Sequence, residues 1–271
     1  MVAFKPLSVA LLASAVAAQN IPLRYMPLGD SITEAVCWRA LLWEKLQSTE
    51  FASVDWVGSS NLIDNNCGNT RYDRDSEGHS GFLALNIANS GQLVGWLQAN
   101  PADVITMHLG TNDIGWLNPP VDQILATFTR LVGVMRDSNP KIKIIVAQII
   151  PSTNAIWNIA ITNLNQAIPG WAQGLNKTES PIWVVDQNTG IDPVVDLRDG
   201  LHPNLAGDEK MANVWYPALI SALRAARADK LAEAAVAADK DGDKEDKDGF
   251  KPAKVAKNSV GQRGRIMLCA L

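Results

Sequence analysis

Two kinds of apolar pattern alternate along this chain of 271 residues. Short, nearly continuous apolar runs are typical of strands buried on both faces, whereas apolar residues that recur every three or four positions indicate amphipathic helices. The predicted strands span residues 23–28, 54–57, 104–109, 142–149 and 182–185, and the predicted helices span residues 38–47, 83–97, 121–136, 155–172 and 205–224. This alternation predicts an α/β fold, a single-domain three-layer α/β/α sandwich with a doubly wound, mainly parallel (flavodoxin-like) sheet of about five strands.

The two ends of the chain differ from this pattern. Residues 1–18 contain a single lysine, an apolar stretch and a run of small residues, which together predict a secretory signal peptide too short to span a membrane. We therefore expect a secreted, extracellular protein whose main domain covers residues 19–227. Residues 228–271 are rich in alanine and mixed charge with few apolar side chains, so we predict a low-complexity, disordered tail there.

Charge and metal-ligand spacing limit the partners. A formal net charge of -4 provides no electrostatic basis for binding nucleic acid, and no later run predicts a membrane span. Asp239, Asp241 and Asp243 resemble a calcium loop, but Lys244 stands where such a loop requires glycine. No Cys/His cluster has zinc spacing. We expect no metal, no other cofactor, no nucleic-acid or membrane partner, and a monomer.

Export makes a disulfide plausible among the three cysteines. Cys37 and Cys67 are the candidate pair, with Cys269 left over in the tail, and the alternative is two buried free thiols. Asn176, in the sequence Asn-Lys-Thr, is a candidate glycosylation site.

A serine, a carboxylate and an imidazole follow predicted strands. Ser31, in Gly-Asp-Ser, lies where the first strand turns into a helix, and Asp199 precedes His202 by three residues. A serine hydroxyl becomes an effective nucleophile when an imidazole accepts its proton and a carboxylate holds that imidazole. We therefore expect Ser31 as nucleophile, His202 as base and Asp199 as the group that orients it. The alternative is that Asp199 serves a turn and His202 lies at the surface.

Oxyanion donors are also available. Asn112 follows the strand at residues 104–109, and its amide can point at a developing oxyanion. Gly81 allows close approach of its N–H because it has no Cβ, and the N–H of Ser31 is a third donor. The alternative is that Asn112 or Asp113 caps the following helix and that the glycines serve turns. Because ligands bind at the carboxyl ends of strands in such sheets, these groups should share one site.

Together these blocks resemble the signature of the SGNH (GDSL-type) hydrolases. They are Gly29-Asp30-Ser31, Gly81, Gly110-Thr111-Asn112-Asp113 and Asp199-Gly200-Leu201-His202-Pro203. The flanking sequences Arg24–Glu34, Cys37-Trp38-Arg39 and Gly78–Phe82 are similar to the fungal acetyl xylan esterases of carbohydrate esterase family 3, over roughly residues 22 to 226. Thr33 stands where an α/β-hydrolase elbow has glycine, which argues against that fold.

The resemblance implies a serine esterase that removes acetyl groups from acetylated xylan or a related polysaccharide through an acyl-enzyme intermediate. By the same resemblance Ser31, Asp199 and His202 are catalytic, and Gly81 and Asn112 serve the oxyanion hole. The alternatives are a small-ester, thioester or lysophospholipid hydrolase with the same triad, and a carbohydrate-binding module with relic motifs.

Some further side chains are candidates for the substrate-binding wall. Tyr72, in the long loop before Gly81, Trp116, in the loop after Asn112, and His79, beside Gly81, are the candidates. His108 lies within a buried strand and is predicted to be a hydrogen-bonded core histidine. Trp43, Trp96 and Trp171 follow helical periodicity and are predicted to be core residues.

Overall fold

The computed structural model describes residues 21–62, 67–69 and 71–248, with side chains as far as residue 238. The predicted signal peptide at residues 1–18 and the end of the tail, with Cys269, lie outside the described residues. The chain divides into two compact units, Met1–Leu231 and Ala232–Leu271. Within the described part, no helix combines the length and apolarity that a membrane span requires.

A parallel sheet forms the centre of the first unit. Its order is β2-β1-β4-β5-β6, and β3 pairs with β1 as well. All the pairings are parallel. This confirms the predicted mainly parallel α/β fold. The strands are β1 (Arg24–Gly29), β2 (Asp55–Trp56), β3 (Glu77–Gly78), β4 (Val104–His108), β5 (Lys143–Gln148) and β6 (Ile182–Asp186).

Helices connect these strands. They are α1 (Ser31–Glu34), α2 (Trp38–Gln47), α3 (Ala84–Asn89), α4 (Gln92–Ala99), α5 (Val121–Ser138), α6 (Ala155–Leu175) and α7 (Leu205–Asp248), with a π-helical turn at Asp113–Leu117. The single helix predicted at residues 83–97 is wrong. It is divided into α3 and α4 at Gly91, whose φ of 65° lies in the left-handed region.

The predicted disorder of the tail is also wrong as far as residue 248, because residues 228–248 belong to α7. Alanine is the strongest helix former, and residues 228–238 are rich in alanine. This local propensity forms a helix without a large apolar face.

Two apolar clusters cover the two faces of the sheet. One cluster joins Tyr25 of β1 to Leu42 of α2 and Trp215 of α7. The other joins Met26 of β1 to side chains of α3, α4, α5 and α6, including Phe128. Successive β1 residues therefore point to opposite layers, as the alternation of side chains along a strand requires. The result is the three-layer arrangement, with the carboxyl ends of the strands left open to carry the site.

A disulfide bond joins Cys37 and Cys67, with their Cα atoms 5.1 Å apart. The bridge ties the residue before α2 to the long loop that precedes β3, so the alternative of two free thiols is wrong. Ala40 and Tyr72 pack against the bridge in a small buried cluster. The loop is thereby held against the first helices of the domain.

Candidate active site

A cleft of about 620 Å³ lies at the carboxyl ends of the strands. Its lining combines the predicted catalytic groups with an aromatic residue at its edge. It includes Ser31, Gly81, Asn112, Trp116, Asp199 and His202. The fold therefore brings together segments from the start, middle and end of the domain, as the open edge of a parallel sheet allows.

Ser31, His202 and Asp199 form a continuous hydrogen-bonded chain. Ser31 is the first residue of α1, directly after β1 and Asp30. Its Oγ lies 2.8 Å from Nε2 of His202, and Nδ1 of His202 lies 2.8 Å from Oδ2 of Asp199. This is the arrangement in which the imidazole can accept the serine proton while the carboxylate orients the ring.

The other oxygen of Asp199 organises its own loop. Oδ1 accepts hydrogen bonds from the backbone N–H groups of Leu201 at 3.0 Å and His202 at 2.8 Å. Burial acts to raise the pKa of Asp199, but these bonds and the His202 ring outweigh it and hold the pKa below its ordinary value. Asp199 is therefore both the turn residue of the alternative interpretation and the partner of His202.

The loop between Asp199 and His202 depends on a glycine. Gly200 has a φ of 82°, and a Cβ built there would lie 2.2 Å from Oγ1 of Thr153. Its carbonyl accepts a hydrogen bond from the N–H of Thr153 at 2.8 Å. A side chain at position 200 would thus be strained and would collide with the loop that precedes α6.

On the other side of Ser31 lie the candidate oxyanion donors. Asn112 is 8% exposed, and its Nδ2 donates to the carbonyl of Phe82 at 3.0 Å. The side-chain amide has a second N–H that this contact does not use. The Asn112 side chain makes no capping hydrogen bond. Gly81 has a φ of 80° and lines the same cleft.

Two buried carboxyl groups lie next to these donors in sequence. Burial raises the pKa of Asp30 to about 7, and the nearby Asp113 acts in the same direction. Burial also raises the pKa of Asp113, against hydrogen bonds from the N–H groups of Leu85 and Ala84. Asp113 therefore caps the start of α3. It does not cap the π-helical turn Asp113–Leu117, which begins at Asp113 itself.

Not every candidate wall residue reaches the cleft. Tyr72 is 4% exposed and packs beside the disulfide bond, so its predicted place in the wall is wrong. The bridge draws its loop inward, which the sequence pattern does not show. Trp116 is 75% exposed and lines the cleft.

His79 is held by neighbours and is not among the residues that line the cleft. Its ring stacks on Trp96 at 4.4 Å and on Phe82 at 4.9 Å, and its Nε2 lies 2.6 Å from Oε1 of Glu77. His79 therefore has a structural role in place of the predicted contact with substrate.

The residues predicted to be core are buried or packed against the core. Trp43, Trp96 and Trp171 are partly buried against the apolar clusters. His108 is buried, and Ile150 donates its N–H to Nε2 at 3.4 Å, whereas Nδ1 has no partner among the described residues. Burial lowers the pKa of His108 to about 4. Asn176 is exposed at the end of α6, and its glycosylation stays a prediction.

Sequence reasoning missed several residues of the site. Trp157 lines the cleft and packs over Gly115, where a Cβ would lie 3.1 Å from the indole ring. Arg198 also lines it, with Nε 3.9 Å from Oδ2 of Asp199. Its position next to Asp199 was the available signal. Within the described residues, no group of three or more His, Cys, Asp or Glu side chains could hold a metal ion.

The family model of the GDSL-like lipase/acylhydrolases matches residues 28–210. The matched range includes Ser31, Gly81, Asn112, Asp199 and His202. The chain belongs to this family. The match of this GDSL-family chain therefore covers the residues that the fold gathers at one cleft.

Solved structures and a curated relative agree with the family. A carbohydrate esterase family 3 protein from Talaromyces cellulolyticus is 40% identical with a TM-score of 0.71, covering 74% of this chain and 98% of that one. An acetyl esterase mutant with an acetate ion is 39% identical, with the same TM-score and coverage. A multidomain esterase of Ruminococcus flavefaciens is 29% identical over 227 residues, 75% of this chain, but this chain spans 29% of its length. The GDSL-family chain is a carboxylic ester hydrolase similar to family 3 carbohydrate esterases.

Proposed function

We propose that this esterase is secreted and removes acetyl groups from acetylated xylan or a related polysaccharide. The observation that carries the proposal is the hydrogen-bonded chain from Ser31 through His202 to Asp199, set in a cleft beside Gly81 and Asn112. A serine activated in this way performs acyl transfer when donors lie where the oxyanion develops.

The reaction follows from these contacts. His202 accepts the proton of Ser31 as Oγ attacks the acetyl carbonyl carbon, and Asp199 stabilises the imidazolium. The N–H groups of Ser31 and Gly81 and the amide of Asn112 donate to the oxyanion. His202 then gives the proton to the departing sugar hydroxyl and leaves an acetyl-enzyme. In the second half, His202 takes a proton from water as the water oxygen attacks the acetyl carbonyl carbon. The bond between that carbon and Oγ of Ser31 then breaks, His202 returns the proton to Oγ, and acetate leaves.

The acetylated polysaccharide is supported by two observations. The similar solved proteins are described as a carbohydrate esterase and as an acetyl esterase with acetate. The indole of Trp116 is 75% exposed at the cleft, where its flat apolar face can pack against the apolar face of a sugar ring.

Secretion is supported by the disulfide bond between Cys37 and Cys67, because such bonds persist in oxidising compartments. The predicted signal peptide at residues 1–18 is consistent with this proposal. We also propose that the esterase acts as a monomer without a nucleic-acid or membrane partner, in keeping with its net charge of -4.

Release of acetate from acetylated xylan tests the substrate. We expect release by the wild type and its loss, by roughly 10⁶-fold in kcat, in Ser31→Ala and His202→Ala. Trp116→Ala should raise KM for the polymer and leave KM for an aryl acetate unchanged. Ile159→Ala, which removes an apolar side chain 66% exposed on α6, is the matched control. Hydrolysis of the aryl acetate or of a lysophospholipid with no release from the polymer would reject the proposed substrate.

A further inference from the structure

Glu34 links the helix that carries the nucleophile to the loop that carries Gly81. It is the last residue of α1, three positions after Ser31, and is 8% exposed. Its Oε2 accepts hydrogen bonds from the N–H of Ser80 at 2.8 Å and from the Ser80 hydroxyl at 2.5 Å. Its Oε1 accepts a third bond from the hydroxyl of Ser60 at 2.9 Å. The carboxyl group is thus fully engaged, mostly with the residue before Gly81.

The residue after Gly81 is held from the opposite side. The carbonyl of Phe82 accepts the hydrogen bond from Asn112, and Asp113 accepts the N–H groups of Ala84 and Leu85 at 2.9 Å each. On the N-terminal side of Gly81, the loop is therefore attached to α1 through Ser80. On the C-terminal side, it is attached to the segment that follows β4.

Gly81 itself has little around it. Apart from its chain neighbours, no heavy atom lies within 4 Å of the position that a Cβ would occupy, and its φ is 80°. Its placement is therefore determined by the two attached neighbours and not by packing on its own α-carbon. The Gly81 N–H belongs to the peptide group that begins at the Ser80 carbonyl. Holding Ser80 at its N–H and at its hydroxyl limits rotation of that peptide.

We propose that Glu34 is a positioning residue for the oxyanion hole. This inference rests on the proposed role of Gly81 as a donor. Oxyanion donors act by being in place before charge develops, and a displacement of about 1 Å can cost about 10²-fold in rate. Ser31 and Glu34 lie on the same turn of α1, so a single rigid element carries the nucleophile and the anchor of the donor loop.

Three variants, assayed with an aryl acetate as substrate, distinguish the effect of the length of the Glu34 side chain from the effect of its charge. Glu34→Asp keeps the carboxyl group but withdraws it by one methylene, and kcat should fall about 10²-fold with KM nearly unchanged. Glu34→Gln keeps the length and an acceptor oxygen for Ser80, so its kcat should stay within about fivefold of wild type. Ser80→Ala removes one of the two bonds to Oε2 from an exposed residue, and its kcat should fall roughly tenfold.

Ser180→Ala provides the control for a lost buried hydrogen bond. The Ser180 hydroxyl accepts from Nε of Arg136 at 3.0 Å and donates to the carbonyl of Ile142 at 2.7 Å, at the opposite end of the sheet. This variant should lower the thermal midpoint and leave kcat unchanged. All rates are measured well below the lowest midpoint of the set.

Wild-type turnover in Glu34→Asp would overturn the inference, and so would a loss in Glu34→Gln as large as that in Glu34→Asp. If Glu34→Asp does not fold, an unchanged kcat in Ser80→Ala has the same meaning. Normal turnover in Ser31→Ala would instead reject the proposed catalytic residues themselves, so the two failures are distinguishable.

Discussion

Asn112 and Asp113 are adjacent in the chain but have different partners. The Asn112 amide faces the loop at Phe82 and lines the cleft, whereas the Asp113 carboxyl group caps α3. Capping and oxyanion stabilisation were alternatives for this pair of residues in the sequence. In the structure Asp113 caps the earlier helix α3, and the Asn112 side chain does not cap the turn that follows it. The second N–H of Asn112 is therefore available to a ligand.

Replacement of Asn112 tests its role as a donor. Asn112→Ala should lower kcat toward an aryl acetate by roughly 10²–10³ with little change in KM, because the hydrogen bond strengthens as negative charge develops. Asn139→Ala is the matched control, since Nδ2 of Asn139 also donates to a backbone carbonyl, that of Ala102 at 3.1 Å. It should lower the thermal midpoint without changing kcat. Equal behaviour of the two variants would remove Asn112 from the oxyanion hole.

Asp30 should make stability depend on pH. Its pKa is raised to about 7 in the folded protein from an ordinary value of 3.8. Between these values the folded state binds more protons than the unfolded state, so the free energy of unfolding should fall as pH rises from about 4 to about 7. Asp30→Asn should flatten this slope in denaturant titrations. Asp113, whose pKa burial also raises, should contribute to the slope that is left. Parallel slopes in the variant and the wild type would contradict the assignment.

At the scale of elements, a buried arginine joins α1, α2 and the long loop. Arg39 of α2 is fully buried and donates to the carbonyls of Thr33 at 2.7 Å, Glu34 at 3.0 Å and Arg74 at 2.5 Å. Burial acts to lower the pKa of its guanidinium, and nearby Tyr72, Tyr25 and carboxyl groups oppose that change. The planar guanidinium has enough N–H donors to bind all three carbonyls at once. Two of these carbonyls, those of Thr33 and Glu34, lie at the end of α1, a helix only four residues long.

Loss of this guanidinium should destabilise the domain strongly. Arg39→Met leaves two buried carbonyls and one partly buried carbonyl without this donor, and should lower the free energy of unfolding by about 3 kcal/mol or more. Arg39→Lys keeps a positive charge but loses the forked set of N–H donors. Its free energy of unfolding should therefore lie between those of Arg39→Met and the wild type. Denaturant unfolding of the three proteins is the measurement. A cost below about 1 kcal/mol in Arg39→Met would show that the carbonyls find other partners.

At the scale of the whole molecule, connections between distant segments hold the cleft. The bridge between Cys37 and Cys67 has a sequence separation of 30 and fixes the loop that leads to β3 and Gly81. The sheet alone leaves that loop attached through the short strands β2 and β3. The disulfide therefore adds a restraint that the strand pairing does not supply.

Removal of both cysteines of the bridge should measure that restraint. The chain-entropy model predicts that the Cys37→Ser, Cys67→Ser double variant loses roughly 3–4 kcal/mol of unfolding free energy. Reduction of the wild type should lower its stability to a similar level, and a reductant should have no further effect on the double variant. Stability that is the same with and without the bridge would show that the loop is held by packing alone.

The sequence by itself determined the layers of the fold and the catalytic residues expected to meet. Strand and helix periodicities are local, and the apolar run before Ser31 is long enough to identify β1 without any knowledge of its neighbours. The rule that ligands bind at the carboxyl ends of parallel strands then placed Ser31, Asn112 and His202 together before any distance was known.

Only the tertiary structure decided the contacts between segments that no short-range pattern connects. Glu34 and Ser80 are separated by 46 positions, and Tyr72 looked accessible until the disulfide drew its loop into the interior. The two-residue strand β3 contains Glu77 and Gly78, which have no strand periodicity, and it exists because β1 offers a free edge there. Such placements follow from packing and hydrogen bonding across the folded chain, since the energy of each contact depends on partners that the local sequence does not specify.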